Sequence, residues 1–336
     1  MRIDDASSTA PARATAAATA GPTGAAAGVP AATPGPAPTA AEAPGPDSAR
    51  LGMIGLGSMG EPMAGHLLAA HGTLAVHSRT RKASLLEAGA TWTDTPRELA
   101  EQVDAILVML PDLPQLAPML EGPDSLLAAG TELLLMIGST SSPRGVRELA
   151  DRLVGETGGR VRLVDVPVSG GEAGARAGTL SIMAGGESAD VERARTLLDP
   201  CGTVRHLGPL GAGEVAKACN QMIVGATMMA ISEATVLAER SGVAPADLFE
   251  VLSGGYAGST LLTDKRDKLV AGDYSPGGIA AYMTKDLGFA ADVAEDTGTS
   301  PALLGALRGA YDELVAAGLG EEDLSVARRF VAERGA

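Results

Sequence analysis

Three short stretches of the sequence carry residue types that can do chemistry. The first is Gly55-Leu56-Gly57-Ser58-Met59-Gly60. Its G-x-G-x-x-G spacing gives a tight turn at Gly55 and a bare backbone at Gly57 that lets a pyrophosphate approach. Gly60 then lets helix and strand pack closely. The second is Asp165-Val166-Pro167-Val168-Ser169-Gly170-Gly171. Ser169 offers a hydroxyl, and Gly170 and Gly171 offer unshielded N–H groups, a set suited to holding a carboxylate. The third is Lys217-Ala218-Cys219-Asn220-Gln221. Lys217, Asn220 and Gln221 stand at i, i+3 and i+4, on one face of a helix. An ammonium in so apolar a stretch is costly unless it pairs or works. Desolvation lowers its proton affinity, which suits proton transfer. The plainer alternative is a lysine at a helix start whose ammonium reaches water.

The elements around these stretches give them meaning. Residues 51–55 read as a buried strand entering the first motif, and helical spacing continues from Pro62 to Leu68. The next strand, Leu74 to His77, ends about 20 residues on, where an acidic side chain would take the ribose hydroxyls of NAD. Ser78-Arg79-Thr80-Arg81-Lys82 stands there instead. Arg79 can fork onto a phosphate, so NADP(H) is the expected cofactor, with NAD(H) second. Strand and helix keep alternating. Asp104 to Leu110 is a strand stopped by Pro111, Glu132 to Ile137 is another, and a helix runs from Gly145 to Leu153. Val161 to Val168 reads as one further strand. Open parallel sheets bind ligands beyond the carboxyl ends of their strands. That rule makes Met109, Leu110, Pro111 and Thr140 candidate cofactor contacts, beside Ser78, Arg79 and Thr80. From Gly213 the pattern turns helical. Val215 to Arg240 has no proline and few charges, and reads as a helix buried nearly all round, an interdomain spine.

The chain has 336 residues, enough for about two domains. The expected division is an Ala/Pro/Thr-rich disordered tail over 1–49, a dinucleotide-binding domain over 50–210, and an all-helical substrate and dimerisation domain over 211–334. Lys and Arg total 26 against 41 Asp and Glu, a net charge of −15. So acidic a surface argues against nucleic acid and anionic membranes as partners. Two cysteines make no disulfide framework, and four histidines show no metal-ligand spacing. No uninterrupted apolar run reaches about 18 residues, and no basic start is followed by an apolar segment. A cytoplasmic location is therefore expected.

With these motifs in this order, the chain resembles the β-hydroxyacid dehydrogenases, also called 3-hydroxyisobutyrate dehydrogenase-like proteins. The resemblance covers Arg50 to about Glu333. It rests on the glycine motif, on Asp165 to Gly171, on Gly211-Ala212-Gly213 through Lys217 to Asn220, and on Lys285-Asp286. It implies an α/β fold: an N-terminal Rossmann domain, a long interdomain helix and a C-terminal all-α domain that helps form dimers. It implies Lys217 as the catalytic acid/base, and Ser169, Gly170 and Gly171 as ligands of a substrate carboxylate. Asn220 or Gln221 would position the substrate, and Lys285 would lie near the nicotinamide. Lys217-Ala218-Cys219-Asn220-Gln221 and Gly254 to Thr260 look most like the tartronate semialdehyde (2-hydroxy-3-oxopropionate) reductases. The branched-chain 3-hydroxyisobutyrate enzymes usually have Asn at the position of Gln221. Ile137 and Gly278 depart from the usual family residues, and Lys217 argues against the imine reductase branch. The expected partners are a small anionic carbonyl or hydroxyacid substrate and a second copy, as a homodimer or homotetramer. The remaining alternatives are 3-hydroxyisobutyrate, glyoxylate or succinic semialdehyde as substrate, or a non-catalytic dinucleotide-binding protein.

Overall fold

The computed structural model describes residues 50–334. The tail expected over 1–49 lies outside them. The described residues form nine strands: β1 (Leu51–Ile54), β2 (Ala75–His77), β3 (Thr91–Trp92), β4 (Ala105–Val108), β5 (Leu133–Ile137), β6 (Val161–Asp165), β7 (Val168–Ser169), β8 (Leu180–Gly185) and β9 (Gly202–Gly208). They join in the order β3-β2-β1-β4-β5-β6-β8-β7, with β9 on β8. From β3 to β6 every pairing is parallel. That order is the doubly wound dinucleotide-binding arrangement, whose strand direction of travel reverses between β1 and β4. A ligand crevice is thus expected beyond the carboxyl ends of those two strands.

The central strands are buried on both faces, as continuous apolar runs require. Alternation sends Met53, Leu107, Met136 and Val164 into one core layer. Ile54, Ile106, Leu135 and Ile137 enter the other. The segment expected as one strand over 161–168 is two. Val166 N–H still donates to Ile137 O (2.7 Å), but Pro167 has no N–H to continue the ladder. The chain leaves β5 there, and Val168 and Ser169 pair antiparallel with Ile182 and Ser181 of β8.

Beyond β9 the described chain is helical apart from one isolated bridge, Ile279 to Asp323. The long helix spans Ala212–Arg240. It packs against the helices Tyr282–Asp296 and Ala327–Glu333 and against β8. The third core lies there, around Met228, Leu287, Leu307 and Phe330. Tyr311, one of few aromatics, is fully enclosed. Its hydroxyl donates to Gly225 O (3.1 Å), and its ring lies against the space a Cβ at Gly225 would need. The long helix is not buried all round. Ile223 is 62% exposed and Leu237 68%, and Cys219 and Ala230 of the same stripe are also exposed. Its neighbours cover the other sides only, so apolar composition overstated burial. By length and composition this helix could cross a membrane, its 18-residue apolar window having a mean hydropathy of 1.4, although polar residues interrupt it. Buried Glu214 and Lys217 within it, and its packing on the sheet and on other helices, mark a core helix.

Candidate active site

The glycine motif forms the turn from β1 into the helix Gly60–His71. Each glycine has its own steric reason. A Cβ at Gly55 would overlap Met109 O, and φ there is +93°. A Cβ at Gly60 would overlap Gly55 O. At Gly57 a Cβ would meet nothing within 4 Å. Gly55 and Gly60 close the turn, and Gly57 leaves a bare, exposed approach to the helix N-terminus. These residues fit the pyrophosphate of a dinucleotide. Two substitutions should therefore part company. Gly60→Ala is expected to cost about 1–3 kcal/mol of stability through backbone collision. Gly57→Ala should keep the melting temperature and weaken dinucleotide binding. Calorimetric melts and dinucleotide titrations check both, and equal loss of stability in the two variants would contradict the assignment.

The basic turn after β2 is less uniform than its sequence. Ser78 Oγ accepts from Leu56 N–H (3.4 Å), tying this turn to the glycine motif. Arg81 is committed elsewhere: its Nη2 lies 2.7 Å from Asp94 Oδ1, and its guanidinium stacks 5.1 Å from the Trp92 ring centroid. Lys82 pairs with Glu61 (2.8 Å). Arg79 and Thr80 are exposed, and Arg79 pairs with no carboxylate among the described residues. At the β4 and β5 ends, Met109 N–H donates to Ile54 O (2.8 Å) and Leu110 N–H to Ser139 Oγ (3.1 Å). Lys285 reaches across from the helical part. Its Nζ donates to Pro111 O (2.8 Å) and Thr140 O (2.5 Å). Pro111, Thr140 and Lys285, far apart in sequence, therefore meet.

Lys217 lies in the second turn of the long helix and is 8% exposed. Its Nζ donates to Gln221 Oε1 (3.0 Å), and Asn220 Nδ2 donates to the same oxygen (3.0 Å). Ser169 Oγ donates to Asn220 Oδ1 (3.3 Å). The structure thus brings Ser169, Lys217, Asn220 and Gln221 together. Gly170 and Gly171 follow in the same turn at φ +134° and +59°, conformations that favour glycine.

Three carboxyls complete the cluster: Asp165 and Asp286 entered the sequence reading only as motif residues without a role, and Glu214 did not enter it. Asp286, 4% exposed, accepts from Gln221 Nε2 (2.5 Å) and lies 3.4 Å from Lys285 Nζ. Asp165, fully buried, accepts from Gly211 N–H (2.7 Å) and Glu214 N–H (2.8 Å), so it caps the lysine helix. Glu214, also fully buried, accepts from Ser141 N–H (3.0 Å). Available signals were the i−3 spacing of Glu214 from Lys217, the Asp next to Lys285, and the Asp opening the Ser-Gly-Gly segment. Burial lowers the Lys217 pKa, while Asp286 and Glu214 pull it back up and Lys285 lowers it further. Burial raises Asp286 against the pull of Lys285 and Gln221, and raises Asp165 against its amide bonds.

Comparison with known proteins agrees with this geometry. Residues 50–225 match the model for the NAD-binding domain of 6-phosphogluconate dehydrogenase. Residues 211–331 match that for the NAD-binding domain of NADP-dependent 3-hydroxyisobutyrate dehydrogenase. Escherichia coli 2-hydroxy-3-oxopropionate reductase is 38% identical over 72% of this chain and 82% of its own. The chain belongs to the β-hydroxyacid dehydrogenase family. A second member, the 3-hydroxyisobutyrate dehydrogenase of Pseudomonas aeruginosa, is 37% identical over 71% of this chain and 83% of its own. The solved 3-hydroxyisobutyrate dehydrogenase of Salmonella typhimurium superposes with a TM-score of 0.76, at 28% identity, covering 83% of this chain and 99% of that one. This β-hydroxyacid dehydrogenase is therefore an enzyme that takes a nicotinamide dinucleotide and acts on CH–OH donors.

Proposed function

We propose that this dehydrogenase works with NADPH as a reductase of small semialdehyde acids, and that tartronate semialdehyde, reduced to glycerate, is its substrate. The observation that carries the reading is the buried Lys217, joined through Gln221 to Asp286 and, through Gln221 and Asn220, to the Ser169 hydroxyl. When bound, the dinucleotide supplies the hydride. Ser169 and the Gly170 and Gly171 amides hold the substrate carboxylate. The neighbouring carbonyl then lies beside Lys217, which donates a proton as the alkoxide forms, a contribution of roughly 10²–10⁴-fold. Gln221, itself held by Asp286, fixes the direction in which the amine points. Gly55 to Gly60 hold the pyrophosphate, Arg79 with Ser78 and Thr80 the 2′-phosphate end, and Met109, Leu110, Pro111, Thr140 and Lys285 the nicotinamide end. The hydroxyl of tartronate semialdehyde suits a floor made of Asn220, Gln221 and Asp286 better than the methyl of methylmalonate semialdehyde does. The 38% identical reductase from Escherichia coli supports the same substrate. The exposed stripe on the long helix supports a homo-oligomer, since covering it removes Ile223 and Leu237 from water.

A panel tests the reading: tartronate, methylmalonate and succinic semialdehydes and glyoxylate, each with NADH and NADPH. The highest kcat/KM is expected for tartronate semialdehyde with NADPH. A higher value with methylmalonate semialdehyde would move the substrate to the branched-chain class. Dinucleotide binding with no turnover of any of the four would overturn the catalytic reading.

A further inference from the structure

Glu214 is fully buried one helical turn before Lys217, and nothing in the reaction above uses it. Its Oε2 accepts one hydrogen bond, from the Ser141 amide. Its Oε1 has no partner, and the Ser141 hydroxyl beside it has none either. A second buried carboxyl, Asp165, sits at the same helix start. Asp165 accepts from two backbone amides there, with the helix dipole in its favour. Two buried carboxylates this close do not both ionise readily. Asp165 has two amide donors and Glu214 one, so of the two Asp165 is better placed to carry the charge and Glu214 to hold a proton.

A buried carboxyl of this kind costs stability, and neutral Gln would fill the same volume without the ionisable group. The groups facing Glu214 explain what the carboxyl adds. Asp165 of β6 disfavours its charge, while Lys217 of its own helix and Lys285 of the helix Tyr282–Asp296 favour it. Asp286, next to Lys285, also favours the charged form of Lys217. Burial is the largest influence and raises the Glu214 pKa well above the ordinary carboxyl value. Burial also dominates at Lys217, in the opposite sense. The two groups are thus driven toward each other's range, and each favours the other's charged form.

We propose that Glu214 is a positioning residue for the acid/base: a proton-holding carboxyl that ties the lysine helix to the turn at Ser141 and, through its charge, sets how firmly Lys217 keeps its own proton. The inference rests on Lys217 being the acid/base of the reaction. Ionised Glu214 strengthens the ammonium of Lys217 and neutral Glu214 releases it, so the pair spreads the lysine transition toward higher pH.

Glu214→Gln tests this in the full chain, because its carbonyl keeps the bond to the Ser141 amide while the charge is lost for good. For hydroxyacid oxidation, which needs neutral Lys217, the midpoint of the kcat–pH profile is expected to fall by roughly one pH unit. A midpoint unchanged from the parent would overturn the proposal and leave Glu214 a structural link. A second readout survives loss of activity. An acid with a raised folded-state pKa costs stability once the pH passes its unfolded value, and costs nothing below it. The melting temperature of E214Q relative to the parent should therefore be higher at about pH 8 than at about pH 4.5. A relative melting temperature that is flat or falls across that range would show Glu214 ionised in the folded protein and sink the idea. If Lys217→Ala kept its kcat, the acid/base reading itself would fail, and that outcome is distinguishable from either result with E214Q.

Discussion

Lys217→Ala is expected to lower kcat by roughly 10²-fold or more while dinucleotide affinity stays within a few-fold. Among the described residues the lysine side chain bonds only Gln221 Oε1, and no contact there joins it to the glycine motif. Removing it deletes the proton donor and leaves the pyrophosphate turn as it was. Lys217→Arg should rescue little, because a guanidinium stays charged and cannot take a proton back. Burial holds the Lys217 pKa down. Oxidation of the hydroxyacid, which needs the neutral amine, should therefore rise with pH through a transition below the usual lysine range. Reduction, which needs the ammonium, should fall through the same transition. Single-turnover rates across pH check both limbs. Retained kcat in the alanine variant, or lost dinucleotide binding, would make the lysine structural and send the search for the acid/base elsewhere.

Arg79→Asp is expected to weaken NADPH more than NADH, by on the order of 1.5–3 kcal/mol for a lost charged hydrogen bond. The turn contains three cations, but two are spoken for: Arg81 by Asp94 and Trp92, and Lys82 by Glu61. The remaining guanidinium has both the reach and the freedom to fork onto a 2′-phosphate. The introduced carboxylate also repels that phosphate and can accept from ribose hydroxyls. Titrations with both dinucleotides decide the matter, and an equal loss for the two would remove Arg79 from the specificity role.

The Rossmann order was readable because short apolar strands, most of them closed by Gly or Pro, alternate with helical spacing. The strand–motif–helix context of Gly55 to Gly60 then placed the crevice. Lys217, Asn220 and Gln221 were readable because a helix makes i, i+3 and i+4 neighbours by geometry alone. Other features needed the third dimension. Asp165 caps the lysine helix through the amide of Gly211, 46 residues later. Asp286 reaches Gln221 across 65 residues. Such long-range hydrogen bonds leave no period in a sequence. The break of β6 at Pro167 was visible as a proline but not as a change of partner strand. The exposed side of the long helix was hidden by its composition, since alanine and methionine read as apolar on every face. Arg81 looked as available as Arg79 until Asp94 and Trp92 were seen to hold it.

One side chain, Asp165, ends β6 and grips the first amides of the lysine helix, while the chain that leaves β6 forms the Ser169-Gly170-Gly171 turn four residues later. On the proposed reading, the grip on the substrate carboxylate and the proton donor are mounted on one support. Their separation then works as a ruler for the number of bonds between an acid group and the carbonyl being reduced. A 3-oxo acid is therefore expected to turn over faster than the 2-oxo or 4-oxo acid of the same series. Side chains such as Gln221 would be left to choose among acids of one length.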